Sequence, residues 1–205
     1  KCDSLVLGPG ISEQPETAQF VVQFLQQIPR EKPVVIDADA LKAIKSDLAL
    51  LKNRSFILTP HAGEFRLLFG EGLPSHWSEQ YDFLLKKAQE FSTTILLKGK
   101  YDVIANSTQA KINRTGHAGM TVGGTGDVLA GILGVISARV PSLFRAASAS
   151  AYLAGKAGEL AAEDYGNSLL ATDVIEKIPE VLLSLEYYKK KNIVKKEKKK
   201  KKKKN

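Results

Sequence analysis

The chemistry of this chain gathers between Asn113 and Gly131, where the sequence reads N-R-T-G-H-A-G-M-T-V-G-G-T-G-D-V-L-A-G. Six glycines fall between Gly116 and Gly131, and Gly123, Gly124 and Gly126 stand just ahead of an apolar segment that begins at Val128. Glycine lets the backbone take positive φ and approach a ligand closely, because no Cβ intervenes. The segment from Val128 is expected to be helical, so the free N–H groups of its first turn and the positive end of its dipole face the same loop. Such an end binds anions, phosphate above all. Asp127, expected at the first helical position or its cap, brings an ionisable group to the same place. A carboxylate beside a phosphate cradle suits a general base acting on a hydroxyl near a transferring phosphoryl group. The plainer alternative is an Asp that only caps a helix.

The elements that must position this loop are legible as short apolar runs, each stopped by small or polar residues. Leu5–Leu7 ends in G-P-G, Val34–Ile36 in D-A-D, Phe56–Leu58 in T-P-H-A-G-E, and 95–97 in Lys98-Gly99. Between them lie segments of helical spacing: one capped by Ser12 with Pro15 in its first turn, one through Ala40, Leu41 and Ile44, one from Phe65 to a terminating Gly70, and one over 78–91. Continuous apolar strands alternating with amphipathic helices predict an α/β fold, a mostly parallel sheet with helices on both faces. Ligands of such sheets bind beyond the carboxyl ends of the strands, where all four terminating motifs fall. A hairpin over 103–105 and 110–112, turning at Asn106, Ser107 and Thr108, leads into the glycine loop. Helices over 128–139, 143–164 and 172–185 close the fold. The middle one is so rich in Ala, Ser and Gly that it should pack closely against a neighbour.

The formal charge of +8 suggests a nucleic-acid binder until it is divided along the chain. Residues 189–205 hold twelve lysines against one glutamate, and the remainder is mildly acidic. A domain over 1–188 followed by a disordered lysine-rich tail is therefore expected, with no specific nucleic-acid partner. Cys2 is the only cysteine, so no internal disulfide forms, and no Cys/His cluster has zinc spacing. A reducing cytoplasm fits, and no apolar run approaches membrane-span length. The first residue is Lys1 and a strand-like run starts at Ser4, so an N-terminal part is expected to be absent from this chain.

Five motifs in order now stand together: L-G-P-G at Leu7, V-V-I-D-A-D-A-L at Val34, I-L-T-P-H-A-G-E-F at Ile57, L-K-G at Leu97, and T-G-H-A-G-M-T-V-G-G-T-G-D-V-L-A-G at Thr115. In these the chain resembles the ADP/ATP-dependent NAD(P)H-hydrate dehydratases, a branch of the ribokinase-like fold. The resemblance implies a metabolite-repair enzyme that dehydrates hydrated NADH or NADPH, converting ADP to AMP, or ATP to ADP, plus phosphate, with magnesium beside the nucleotide. It implies that Gly10, His61 and Asp127 contact the hydrated dinucleotide, and that Lys98, Gly99, Lys100, Tyr101 and Asp102 line the adenine nucleotide. Gly124, Thr125 and Gly126 would offer backbone N–H groups to its phosphates. No protein metal ligand is assigned, and a cytoplasmic homo-oligomer is expected. The sequence departs from the family loop at His117, Ala118 and Thr121-Val122, and has T-P-H-A-G-E for T-P-H-P-G-E. The T-P-H form resembles the prokaryotic branch, which favours ADP, and M-T-V-G-G-T-G-D resembles archaeal members.

Several of these residues also have plain structural readings. His76 and His117 are expected as exposed loop residues, Glu64 as a first-turn helix glutamate, and Asp37 and Asp39 equally as a cap and its neighbour or as aids to a magnesium-bound phosphate. Lys98 could pair with an acidic neighbour. Two other functional classes stay open: a small-molecule kinase of the same fold, acting on a hydroxymethylpyrimidine, a thiazole or a sugar, and a scaffold whose lysine tail grips polyanions.

Overall fold

The computed structural model describes residues 2–202, with side chains through 187. Four strands, Leu5–Leu7 (β1), Val34–Ile36 (β2), Phe56–Leu58 (β3) and Thr94–Leu97 (β4), lie side by side and parallel. Asp102–Ala105 (β5) and Ala110–Asn113 (β6) continue the sheet as an antiparallel hairpin, so strand order follows chain order throughout. Asn106 makes the hairpin turn as expected, its Oδ1 accepting from the N–H groups of Thr108 (3.0 Å) and Gln109 (2.9 Å).

Because each parallel strand is added on the same side of the last, crossovers of one hand put every connecting helix on one face. These are Pro15–Gln27 (α1), Ala38–Ala43 (α2), Ala62–Phe69 (α3) and Trp77–Phe91 (α4). Val34, Ile36, Phe56, Leu58, Ile95 and Leu97 face them and pack on Val21, Leu25, Leu41, Phe65 and Leu84. The alternate residues Val35, Ile57, Leu96 and Ile104 face the other way and need a second cover. Thr125–Ser137 (α5), Leu143–Tyr165 (α6) and Ala171–Lys202 (α7) provide it, through Leu133, Ala147 and Val174 among others. Burial on both faces is what makes these strands continuously apolar.

Two local expectations are corrected. Ser12 does not cap α1: it stands two residues outside, at φ 78, held by a hydrogen bond from its backbone N–H to Asp39 Oδ2 at 3.1 Å, and α1 opens at Gln14 with Pro15 in its first turn. Asp127 is neither cap nor first residue of α5, whose cap is Gly124; the threonine and glycine before Asp127 are already helical. The helical backbone of α7 runs on to Lys202.

Candidate active site

Lys98 closes β4 and stands where three strand ends meet. Its backbone N–H donates to the Pro60 carbonyl at 2.8 Å, extending the β3–β4 pairing by one bridge to His61. Its ammonium donates to Asp37 Oδ1 at 2.8 Å and lies 3.6 Å from Glu64 Oε2. Both carboxylates are buried, and Thr59 Oγ1 donates to the same Asp37 oxygen at 2.8 Å. The ends of β2, β3 and β4 are thus tied around one cation. A Cβ built on Gly126 would lie 3.7 Å from Lys98 Nζ, so the ammonium also borders the first turn of α5.

That first turn has the form expected of an anion site. Val128 N–H is the first to bond back along α5, to Gly124 O at 3.0 Å, so those of Thr125, Gly126 and Asp127 project from the helix end. Gly124 turns the chain into the helix at φ 91, and a Cβ there would come within 3.0 Å of Ala171 Cβ. Glycine is required at this position by both backbone and space.

His61 has a defined structural task. Its Nδ1 accepts from the N–H groups of Gly63 (3.0 Å) and Glu64 (3.2 Å), while Glu64 Oε2 accepts from the His61 N–H at 2.8 Å. This is a capping box at the head of α3, with histidine where serine or threonine is usual. With Nδ1 accepting, the neutral ring carries its proton on Nε2, 3.6 Å from Glu64 Oε1. Glu64 is therefore a first-turn glutamate as expected, and also joins His61 to Lys98. His76 and His117, both exposed, accept from the N–H groups of Ser78 and Gly119 in the same capping manner.

Between the strand ends and the glycine loop lies a cavity of about 890 Å³. Of the residues singled out from sequence, His61, Lys98, Gly99, Lys100, Tyr101, Asp102, Thr125 and Gly126 line it. Gly124 does not line it. Asp127 is exposed on the outer side of the α5 first turn, and Gly10, at φ 69 beyond β1, is exposed with open space about it; neither lines the cavity. Asp102 accepts from Gly99 N–H (3.2 Å) and Asn113 Nδ2 (3.0 Å). Burial pushes its carboxyl above the ordinary aspartate value, against the opposing pull of those two donors and of Lys98.

Arg114, Thr115 and Met120, which also line the cavity, were not singled out, and His117 beside them was expected only as an exposed loop residue, although all four lie inside the motif that opens at Asn113. Their position follows from Asn113, whose amide donates to Asp102 and to Ala151 O (3.3 Å) and whose Oδ1 accepts from Thr115 Oγ1 (3.0 Å). The small residues of α6 are the matching half. A Cβ on Gly155 would fall 2.2 Å from Thr115 Oγ1, and one on Gly158 2.1 Å from Met120 Sδ. No group of three or more His, Cys, Asp or Glu side chains among the described residues is disposed to hold a metal. Asp37 is engaged by Lys98 and Thr59, and Asp39 by Lys42 and the Ser12 N–H.

The family model described as NAD(P)H-hydrate dehydratase matches residues 1–180. The chain is 39% identical over 178 residues to a bifunctional NAD(P)H-hydrate repair enzyme of Pyrobaculum aerophilum, covering 87% of this chain and 35% of that protein. It is 38% identical over 180 residues to an ADP-dependent (S)-NAD(P)H-hydrate dehydratase of Cenarchaeum symbiosum, covering 88% of this chain and 62% of that one. The chain thus spans about a third of the bifunctional relatives and under two thirds of the dehydratase. Among solved structures, the ADP/ATP-dependent NAD(P)H-hydrate dehydratase of Bacillus subtilis, crystallised with ATP and Mg2+ and soaked with CoA, superimposes with a TM-score of 0.74 at 27% identity, over 89% of this chain and 66% of that one. A ribokinase-like protein of Enterococcus faecalis superimposes with a TM-score of 0.75 at 23% identity, over 89% of this chain and 63% of that chain, so the fold is ribokinase-like. By the extent of the family match, over residues 1–180, this chain belongs to the NAD(P)H-hydrate dehydratase family.

Proposed function

We propose that the chain performs the nucleotide-driven dehydration of the S epimer of hydrated NADH or NADPH, with ADP or ATP as phosphoryl donor. The observation that carries this reading is the meeting of the α5 N-terminus with Lys98 on one wall of a cavity of about 890 Å³. That volume suits a nucleotide, since small-molecule sites run to about 300 to 1,000 Å³. The cavity's Thr125 and Gly126 N–H groups would receive the terminal phosphates and stabilise charge as it moves. Residues from Lys98 to Asp102 would flank the rest of the nucleotide. Asp127, one residue beyond that cradle, would face a hydrated nicotinamide arriving from the outer side, with Gly10 and His61 along its path.

Hydroxide leaves poorly, and phosphate leaves well. Asp127 would take the proton of the ring hydroxyl while its oxygen attacks the terminal phosphorus and AMP or ADP departs. The ring nitrogen's lone pair then expels the phosphate, and loss of a proton from the neighbouring carbon restores the dihydronicotinamide. A magnesium ion would be held through the nucleotide's own phosphate oxygens and waters, because the nearby carboxylates Asp37 and Asp39 are already engaged. When bound, that ion neutralises phosphate charge.

Product analysis tests the reading against the kinase alternative. The dehydratase releases inorganic phosphate and reduced nicotinamide in equal amounts; a stable phosphate ester on a hydroxymethylpyrimidine, thiazole or sugar would decide for the kinase. We further infer a cytoplasmic location, in keeping with the lone exposed Cys2, and association of copies, in keeping with exposed Ile175, Leu182, Leu183 and Leu185 on α7. Light scattering of the full chain checks the latter, a monomer mass contradicting it. No helix among the described residues is long and apolar enough to cross a membrane.

A further inference from the structure

Three side chains from separate segments converge at the cavity. Trp77 opens α4, Tyr101 stands in the turn between β4 and β5, and Arg114 follows β6. The Trp77 and Tyr101 rings meet edge to face, centres 5.9 Å apart, and the Arg114 guanidinium carbon lies 5.8 Å from the Trp77 ring centre. Tyr101 and Arg114 line the cavity, while Trp77, in contact with both, does not line it and remains 39% exposed. The ion pairs among the described residues do not include Arg114. Its planar cation is therefore held by an aromatic face and not by a carboxylate. Lys100 Nζ lies 5.7 Å from the Tyr101 ring centre, so the same rim carries a second cation.

A flat cation and a flat ring that both line the cavity each offer a stacking surface, and any aromatic base has a π-face to meet them. The phosphate cradle at α5 lies on the same cavity, so a ligand anchored there by phosphate has a planar-group site within the same volume. We propose that Tyr101 and Arg114, positioned by Trp77, hold the planar base of the nucleotide. The proposal rests on the reading that this cavity takes an adenine nucleotide. It gives Trp77 a positioning role, and gives the site a preference for base-bearing over base-free phosphates.

Trp77 is the only tryptophan of the chain, so intrinsic indole emission reports this one position. The full chain is titrated with ADP and with pyrophosphate, binding being followed by calorimetry and by emission. Both are expected to bind, ADP alone shifting the emission. Trp77→Ala is expected to weaken ADP by about tenfold, within the range for loss of one base–aromatic stack, and to leave pyrophosphate unchanged. Trp77→Phe should restore most of the ADP affinity. Unchanged pyrophosphate binding also shows that the alanine variant is folded. If ADP binds by calorimetry with no emission change, and Trp77→Ala binds it as tightly as the unmodified chain, the base clamp is wrong and the nucleotide reading stands. If neither ADP nor pyrophosphate binds, the nucleotide reading fails and the clamp with it.

Discussion

At the scale of single residues, the site's main ambiguity is that its side chains are already occupied. His61 caps α3 through Nδ1, and asparagine, whose amide oxygen can stand in the same place, separates the cap from any substrate contact. His61→Asn should melt within a degree or two of the unmodified chain yet raise KM for the hydrated dinucleotide several-fold. An unchanged KM would reduce His61 to a cap. Lys98 poses the opposite case, because Asp37 beneath it is almost fully buried. Removing one partner of such a pair leaves an uncompensated charge, so Lys98→Met should cost about 3 kcal/mol in denaturant unfolding. The double variant Lys98→Met with Asp37→Asn should recover most of that loss, and a strictly additive double variant would show that the pair is not coupled. The sequence marked Lys98 and Asp37 separately, as the ends of two apolar runs. That Lys98 could pair with an acidic neighbour was legible, but that the neighbour is Asp37 was not, since it depends on β2 and β4 flanking β3 with ends level, a fact of the sheet and not of either motif. Asp127's place was misjudged by two positions for a related reason: the helix begins on Thr125, where a glycine at φ 91 lets the chain turn early.

At the scale of elements, the strands and most helices were legible because each is a short apolar run with a strong terminator: Gly70 ends α3 in the left-handed conformation, and Pro15 begins α1. Less legible was the purpose of the small residues in α6. They make room for the segment at Thr115 and Met120 and so set the far wall of the cavity. Two glycine substitutions should accordingly have opposite signs. Gly155→Ala drives a methyl into Thr115 and should destabilise by about 1 to 3 kcal/mol, with a loss of ADP binding beyond what unfolding explains. Gly131→Ala, on an exposed position of α5 with open space around it, should stabilise by about 0.5 to 1 kcal/mol. Thermal melts and an ADP titration of both variants check the pair; equal effects would mean that α6 does not shape the cavity.

At the scale of the whole molecule, the chain is one sheet with a covered face on each side and its reactive residues along one edge. The first four helices come from crossovers and the last three from the chain after the glycine loop, so α5 is the element that carries the proposed phosphate cradle to the strand ends. The family match covers residues 1–180, so the lysine-rich C-terminal stretch lies outside it. The central claim is that this body dehydrates a hydrated nicotinamide at the expense of a nucleotide. It is tested most directly by absorbance at the reduced-nicotinamide band when the chain and magnesium are mixed with hydrated NADH, first with ADP, then ATP, then neither, with Asp127→Asn in parallel. The account predicts recovery that requires nucleotide, favours ADP, and falls by at least about a hundredfold in the variant, the usual contribution of a positioned general base. Recovery that proceeds equally without nucleotide, or equally in Asp127→Asn, would contradict it.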